Sequence, residues 1–185
     1  MEIKALPLSG LFMIIPHTHR DKRGYFFESF RGDMMTKYDL PSSFIQDNQS
    51  KSDRGTLRGL HYQLKYPQGK LVRVSLGRVY DVAVDIRRGS PTFGKHYGTI
   101  LSDEDHMMMF IPGGFAHGYS VLSDTAVFQY KCTNIYHGED QYGLRWDDLE
   151  LNIDWNISNP TLSTKDSKLP LLKNIKSEHL PVYET

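Results

Sequence analysis

The sequence predicts an all-β fold, on three observations. Several runs alternate apolar and polar residues with a period of two, which places one set of side chains on one face of a strand. Turn-forming clusters rich in Gly and Pro separate these runs at short intervals. Helical periodicity is scarce. Many short strands joined by regular turns imply a sandwich, a jelly roll or a barrel.

In chain order, Asp21-Lys22-Arg23-Gly24 is a turn entering an aromatic strand that runs to Phe30. Asp33 to Tyr38 predicts a short helix with Met34, Met35 and Tyr38 on one side. Leu57 to Gln63 reads as a strand. Lys70 to Leu76 alternates, with Val72, Val74 and Leu76 opposite Arg73 and Ser75, and Gly77 breaks the run. Val79 to Ile86 resumes it, with Val82, Val84 and Ile86 opposite Asp81, Ala83 and Asp85. Ala126 to Cys132 alternates again: Ala126, Phe128, Tyr130 and Cys132 share one face, and Val127, Gln129 and Lys131 the other. Turns lie at Arg88-Gly89-Ser90-Pro91, Pro112-Gly113-Gly114 and His137-Gly138-Glu139-Asp140. A tail begins at about residue 171, with a short helix expected around Leu171 to Ile175.

There is no internal repeat, low-complexity tract or linker, and 185 residues suit one domain spanning 1–185. A domain of this size buries roughly 70% of its unfolded surface and needs no staple. The single cysteine, Cys132, excludes an internal disulfide and fits a reducing compartment. The formal net charge is zero, with 22 basic and 22 acidic residues interspersed, so no nucleic-acid partner is expected. No apolar run approaches the roughly 20 residues of a membrane span. The first residues lack a basic segment followed by an apolar one. The expectation is a soluble, cytoplasmic protein.

The most informative stretch is Leu57-Arg58-Gly59-Leu60-His61-Tyr62-Gln63, followed by Gln68-Gly69-Lys70. An imidazole can take a proton at neutral pH, an ammonium can stabilise the anion left behind, and a guanidinium can hold a phosphate through two bonds. The set suits proton abstraction from a phosphate-bearing substrate; the plainer alternative is two surface cations and a hydrogen-bonded core histidine. Strict alternation would put Arg58 and His61 on opposite faces, and a bulge at Gly59 would bring them together.

Three further stretches admit both a functional and a plain reading. Around Asp21 to Phe30, Arg23 can bind phosphate, Glu28 can accept from a base or sugar, and an aromatic can stack on a base, or the segment is a hairpin with a charged tip. Phe44-Ile45-Gln46-Asp47-Asn48-Gln49-Ser50 puts amides and a carboxylate after an apolar pair, a cluster suited to reading heterocycle edges, or a polar loop. Ile111 to Tyr119 joins a glycine-rich turn to His117, as an anion site or a structural turn. Pro112, Gly114 and His117 fit the second half of a cupin metal motif, but Gln63 stands where the first half needs a histidine, and no third ligand appears. No metal is expected.

Together, DKRGYFFESF, FIQDNQSKS, TLRGLHYQ, QGKLVRVSLGRVYDVAVDIRRGSPTFG, IPGGFAHGYSVLSD, VFQYKCTNIY and LSTKD resemble, in order and spacing, the dTDP-4-dehydrorhamnose 3,5-epimerases. The likeness runs from about Leu11 to Leu171. It implies a double-stranded β-helix (a cupin-like, RmlC-like jelly roll), a homodimer, and no metal or other cofactor. The implied substrate is a small dTDP-sugar, dTDP-4-dehydro-6-deoxy-D-glucose, inverted at C3 and C5 to dTDP-4-dehydro-L-rhamnose. A close alternative is a family member inverting only one of these centres.

By this resemblance His61 is the base, oriented by Asp166, Lys70 stabilises the enolate oxygen, and Tyr130 is the acid on the other face. Arg23, Arg58, His117 and Lys165 match contacts to the diphosphate or nearby sugar. Glu28, Gln46, Asp47 and Asn48 match nucleotide contacts, and Phe26 and Tyr136 match aromatics that flank thymine. The family exchanges N-terminal strands across its dimer, so Arg23 and Glu28 are candidates for the partner's site. Many relatives carry Glu where Gln141 stands here, which puts its ligand contact in question. Gln49 and His96-Tyr97 are further departures.

Overall fold

The structure, a computed structural model, describes residues 1–183. The alternating runs form two antiparallel sheets. The first orders β1 (Glu2–Ala5), β2 (Phe12–Ile15), β10 (Met108–Ile111), β7 (Lys70–Leu76), β12 (Thr125–Cys132) and β5 (Gln46–Asp53). The second orders β13 (Gln141–Gly143), β6 (Leu57–Gln63), β11 (Phe115–Val121), β8 (Arg78–Asp85) and β9 (His96–Ser102). From β5 to β8, and again from β9 to β13, the chain crosses from one sheet to the other at each strand. This winding is a jelly roll. A separate hairpin, β3 (His19–Asp21) with β4 (Gly24–Phe26), stands outside both sheets.

Three apolar layers follow. The inner faces share Val72, Val74, Ala126 and Phe128 from the first sheet with Val79, Ala83, Phe115 and Val121 from the second. Phe128 is 1% exposed, and burying such a ring stabilises the fold by roughly 1.5–3 kcal/mol. The outer face of the second sheet is covered by the C-terminal segment: Val82, Val84 and Ile86 pack with Leu144, Leu151, Trp155, Leu172 and Leu180. The outer face of the first is covered around Met35 and Leu40, against Ile14, Leu71, Met108 and Phe110. In β8 both faces are therefore buried, and it is the Asp81–Ala83–Asp85 face that looks inward.

Several local expectations are corrected. Leu76 does not continue the Val72–Val74 face: Val127 pairs with Leu76 but Phe128 with Val74, so β7 carries an extra residue, and Leu76 is 46% exposed. The helix α1 is Gly32–Thr36, shorter than expected, and only Met35 is buried. Tyr38 lies beyond it and is exposed, because the chain turns at Asp39 (φ +56°) to drop Leu40 into the core. The expected C-terminal helix is a single 3₁₀ turn, Leu172–Asn174. The tail packs back on the fold, with the Tyr183 N–H donating to the Arg88 carbonyl at 3.0 Å. No helix among the described residues is long and apolar enough to cross a membrane.

Candidate active site

The two sheets part at one end around a cavity of about 410 Å³. One wall is the first sheet: Ser50 of β5, Lys70 of β7, and Phe128 and Tyr130 of β12. The other is the second sheet: Arg58 and His61 of β6, His117 and Tyr119 of β11. Thr161 to Asp166 close the rim. This rim is tied down by the Thr161 N–H donating to Gly55 O at 2.8 Å and the Leu57 N–H donating to Thr161 O at 3.0 Å.

Arg58 and His61 share the cavity because β6 bulges. His117 pairs with His61 and Tyr119 with Arg58, so three residue steps on β6 oppose two on β11. Gly59 sits in the bulge at φ +117°, a conformation a side chain resists, and its backbone lies against Gly118. The bulge expected from the spacing is present.

His61 Nε2 lies 2.6 Å from Asp166 Oδ1. Asp166 is 4% exposed, and also accepts from its own neighbours: Gly59 N–H reaches Oδ2 at 3.4 Å. Burial alone would push this carboxyl up, but the His61 hydrogen bond and charge, with help from Gly59 and Ser163, hold it below the ordinary value. An ionised carboxylate only accepts, so it selects the tautomer with the proton on Nε2 and leaves Nδ1 with a lone pair. A second histidine–aspartate pair stands beside it. His117 Nε2 is 2.9 Å from Asp81 Oδ2, and Asp81 is fully buried. Motif and spacing assign Asp81 no role; its one signal is a carboxylate alternating with valines in a strand covered on both faces.

On the facing wall, burial pulls the Lys70 ammonium below the ordinary lysine value, against smaller opposing contributions from Cys132 and Asp81. Lys70 stands directly opposite Cys132, and Tyr130 lies two residues further along the same face of β12. Burial also pushes the Tyr130 phenol up to about 12, so it is a protonated donor at neutral pH.

The remaining predicted residues divide into four groups. Lys165 lines the cavity; at its edge Gln141 accepts from both the Lys165 ammonium and the Tyr136 hydroxyl, the latter at 2.9 Å. Gln46 and Asn48 lie on the cavity-facing side of β5, with Gln46 Nε2 donating to Asn48 Oδ1 at 3.1 Å. Asp47 does not join them. Alternation turns it to the outer face, where Lys131 pairs with it at 2.8 Å beside a separate cavity of about 330 Å³. Arg23, Phe26 and Glu28 are not brought to this cavity either. They lie on or next to the outlying hairpin, where Arg23 pairs with Asp21 at 2.6 Å and Phe26 is 68% exposed. Among the described residues no cluster of three or more His, Cys, Asp or Glu side chains is arranged to hold a metal ion.

The arrangement therefore has an imidazole held by a carboxylate at one wall and a neutral phenol beside an ammonium on the other. Comparisons with known proteins identify the family. A sequence profile described as dTDP-4-dehydrorhamnose 3,5-epimerase matches residues 5–174. The dTDP-4-dehydrorhamnose 3,5-epimerase of Pseudomonas aeruginosa is 49% identical over 168 residues, covering 90% of this chain and 93% of that one. That of Methanothermobacter thermautotrophicus is 46% identical over 180 residues, covering 95% and 94%. The crystal structure of the Legionella pneumophila dTDP-6-deoxy-D-glucose-3,5-epimerase in complex with dTDP-4-keto-L-rhamnose superposes with a TM-score of 0.96 at 46% identity, covering 100% of this chain and 99% of that one. With a profile match across nearly its whole length and relatives this similar, the chain belongs to the dTDP-4-dehydrorhamnose 3,5-epimerase family.

Proposed function

We propose that the protein epimerises dTDP-4-dehydro-6-deoxy-D-glucose at C3 and C5 to give dTDP-4-dehydro-L-rhamnose, a step toward dTDP-L-rhamnose. One observation carries the reading: the His61–Asp166 pair and the Lys70–Tyr130 pair face one cavity from opposite sheets. Inversion beside a ketone needs a base on one face of the carbon and an acid on the other, and this placement supplies both.

His61 Nδ1 removes the proton α to the C4 ketone. The electron pair moves onto the ketone oxygen, and the Lys70 ammonium stabilises the enolate. The enolate then collapses as Tyr130 delivers its phenolic proton to the opposite face of the carbon. His61 leaves this step protonated and Tyr130 as the phenolate; exchange with solvent restores both before the second carbon reacts. Asp166 keeps the imidazole in the required tautomer. Arg58, His117 and Lys165 supply positive or donor groups for the diphosphate, and Gln46, Asn48, Tyr136 and Gln141 form the nucleotide end. We assign Arg23 and Glu28, with Phe26 beside them, to a homodimer in which the outlying hairpin reaches the partner's cavity. The chain acts as a single domain in the cytoplasm, without a cofactor.

The test is incubation with dTDP-4-dehydro-6-deoxy-D-glucose in D₂O, followed by proton NMR. Deuterium is expected at C3 and C5, with the product captured as dTDP-L-rhamnose by a 4-reductase. Exchange at one centre only would assign a single-centre epimerase, and wild-type exchange in His61→Ala would refute the role of His61.

A further inference from the structure

Two serines on β5 bond across the cavity. Ser50 and Ser52 stand two residues apart on the inward face, and each meets a side chain of the opposite sheet. Arg58 Nε donates to Ser52 Oγ at 3.0 Å. Ser50 Oγ and the Tyr119 hydroxyl are 2.8 Å apart, and the Tyr119 ring stacks on Phe128 with centroids 4.1 Å apart. Ser52 is only 8% exposed, so water competes poorly for its bond to Arg58.

This bond decides which edge of the guanidinium is free. A guanidinium can grip an anion side-on, through Nε and one terminal nitrogen, or end-on, through both terminal nitrogens. Ser52 occupies Nε, which leaves the end-on fork. The Ser50–Tyr119 bond holds β5 against β11 next to it, so Ser52 does not follow if the guanidinium swings.

We infer that Ser52 is a positioning residue: it holds Arg58 so that the guanidinium meets the substrate diphosphate end-on. The inference rests on the assignment of Arg58 to the diphosphate, and the test separates the two. dTDP is titrated calorimetrically into wild type, Ser52→Ala, Ser52→Thr, Arg58→Ala and Arg58→Lys, with kinetics and melting temperatures in parallel. Ser52→Ala is expected to weaken dTDP binding about tenfold, the effect of one hydrogen bond to a charged group. It should raise KM by a larger factor than it lowers kcat, and Ser52→Thr should restore most of the binding. Arg58→Lys, which keeps the charge but lacks the fork, should bind no better than Ser52→Ala. Wild-type binding by Ser52→Ala with loss in Arg58→Ala would overturn the role of Ser52 alone. Wild-type binding by Arg58→Ala would overturn both assignments. If Ser52→Ala does not fold, Ser52→Cys, a poor acceptor of similar size, replaces it, and equal dTDP affinity in the Cys and Thr variants would refute the inference.

Discussion

Replacing Gly59 by alanine tests whether the β6 bulge builds the site. A Cβ at this position would lie 2.6 Å from Gly118 Cα and 2.7 Å from His117 O, both of them backbone atoms with little room to move. The φ of +117° adds its own penalty. Holding a side chain in such a region costs about 1–3 kcal/mol, and overpacking about 1–3 kcal/mol more. The expected loss of about 2–6 kcal/mol lowers the melting temperature by about 10 °C for a chain of this length. The chain can relieve the contact by parting β6 from β11, or by removing the bulge and restoring strict alternation. Either moves Arg58 relative to His61, and misplacement by about 1 Å can cost on the order of 100-fold in rate. Activity should therefore fall by about 100-fold even well below the variant's melting temperature, where it is fully folded. Thermal unfolding and kcat/KM on one preparation are the assay. A variant with an unchanged melting temperature and wild-type kcat/KM would refute the reasoning.

Three other outcomes are expected. Asp166→Asn presents a hydrogen-bond donor as well as an acceptor to His61, releases the tautomer, and should lower kcat by about 10³-fold or more while leaving the melting temperature nearly unchanged; the check is steady-state kinetics with circular dichroism. The alkaline limb of kcat should report Lys70, whose pKa burial lowers, rather than Tyr130, which stays protonated to about 12; Lys70→Arg should shift that limb upward, and an unmoved limb would contradict the assignment. Asp85 is fully buried; burial would raise its carboxyl, but Arg87, Ser90 and Thr92 hold it at about 2. Because its folded pKa is depressed, its contribution of about 2 kcal/mol is present above the unfolded value near 4 and is lost as pH falls toward 2. Urea unfolding between pH 5 and pH 2 should show that loss in wild type and a flatter profile in Asp85→Asn.

The strands of this fold are legible in the sequence because period-two alternation directly reflects which face is covered. Ala126, Phe128, Tyr130 and Cys132 point inward as their spacing implies, so alternation alone puts Tyr130 on the inner face. Alternation misplaces Leu76 because an extra residue in β7 inverts the phase, and nothing local announces it. Gly59 does announce its bulge. Asp47 shows a limit of motif reading: alternation within Gln46-Asp47-Asn48 separates neighbours that a motif groups together. Asp81 and Ser52 are silent in the sequence for another reason. Asp81 meets His117 only through the register of β8 on β11, strands well separated in the chain, and Ser52 meets Arg58 only because the turn after β5 carries β6 to the facing sheet.

The division of the reacting groups between two sheets has an evolutionary side. The proposed base and its carboxylate come from β6 and the rim, the proposed acid and ammonium from β12 and β7; Asp166 holds His61, and the pairing of β7 with β12 sets Lys70 beside Tyr130. A change at Tyr130 leaves the His61–Asp166 pair intact, and such a protein would still exchange protons with solvent while returning them to the face they left. Stereochemical outcome and carbon-acid activation are thus separately heritable in this fold. New stereochemical outcomes can arise from substitution at Tyr130 while His61 and Lys70 go on making the enolate.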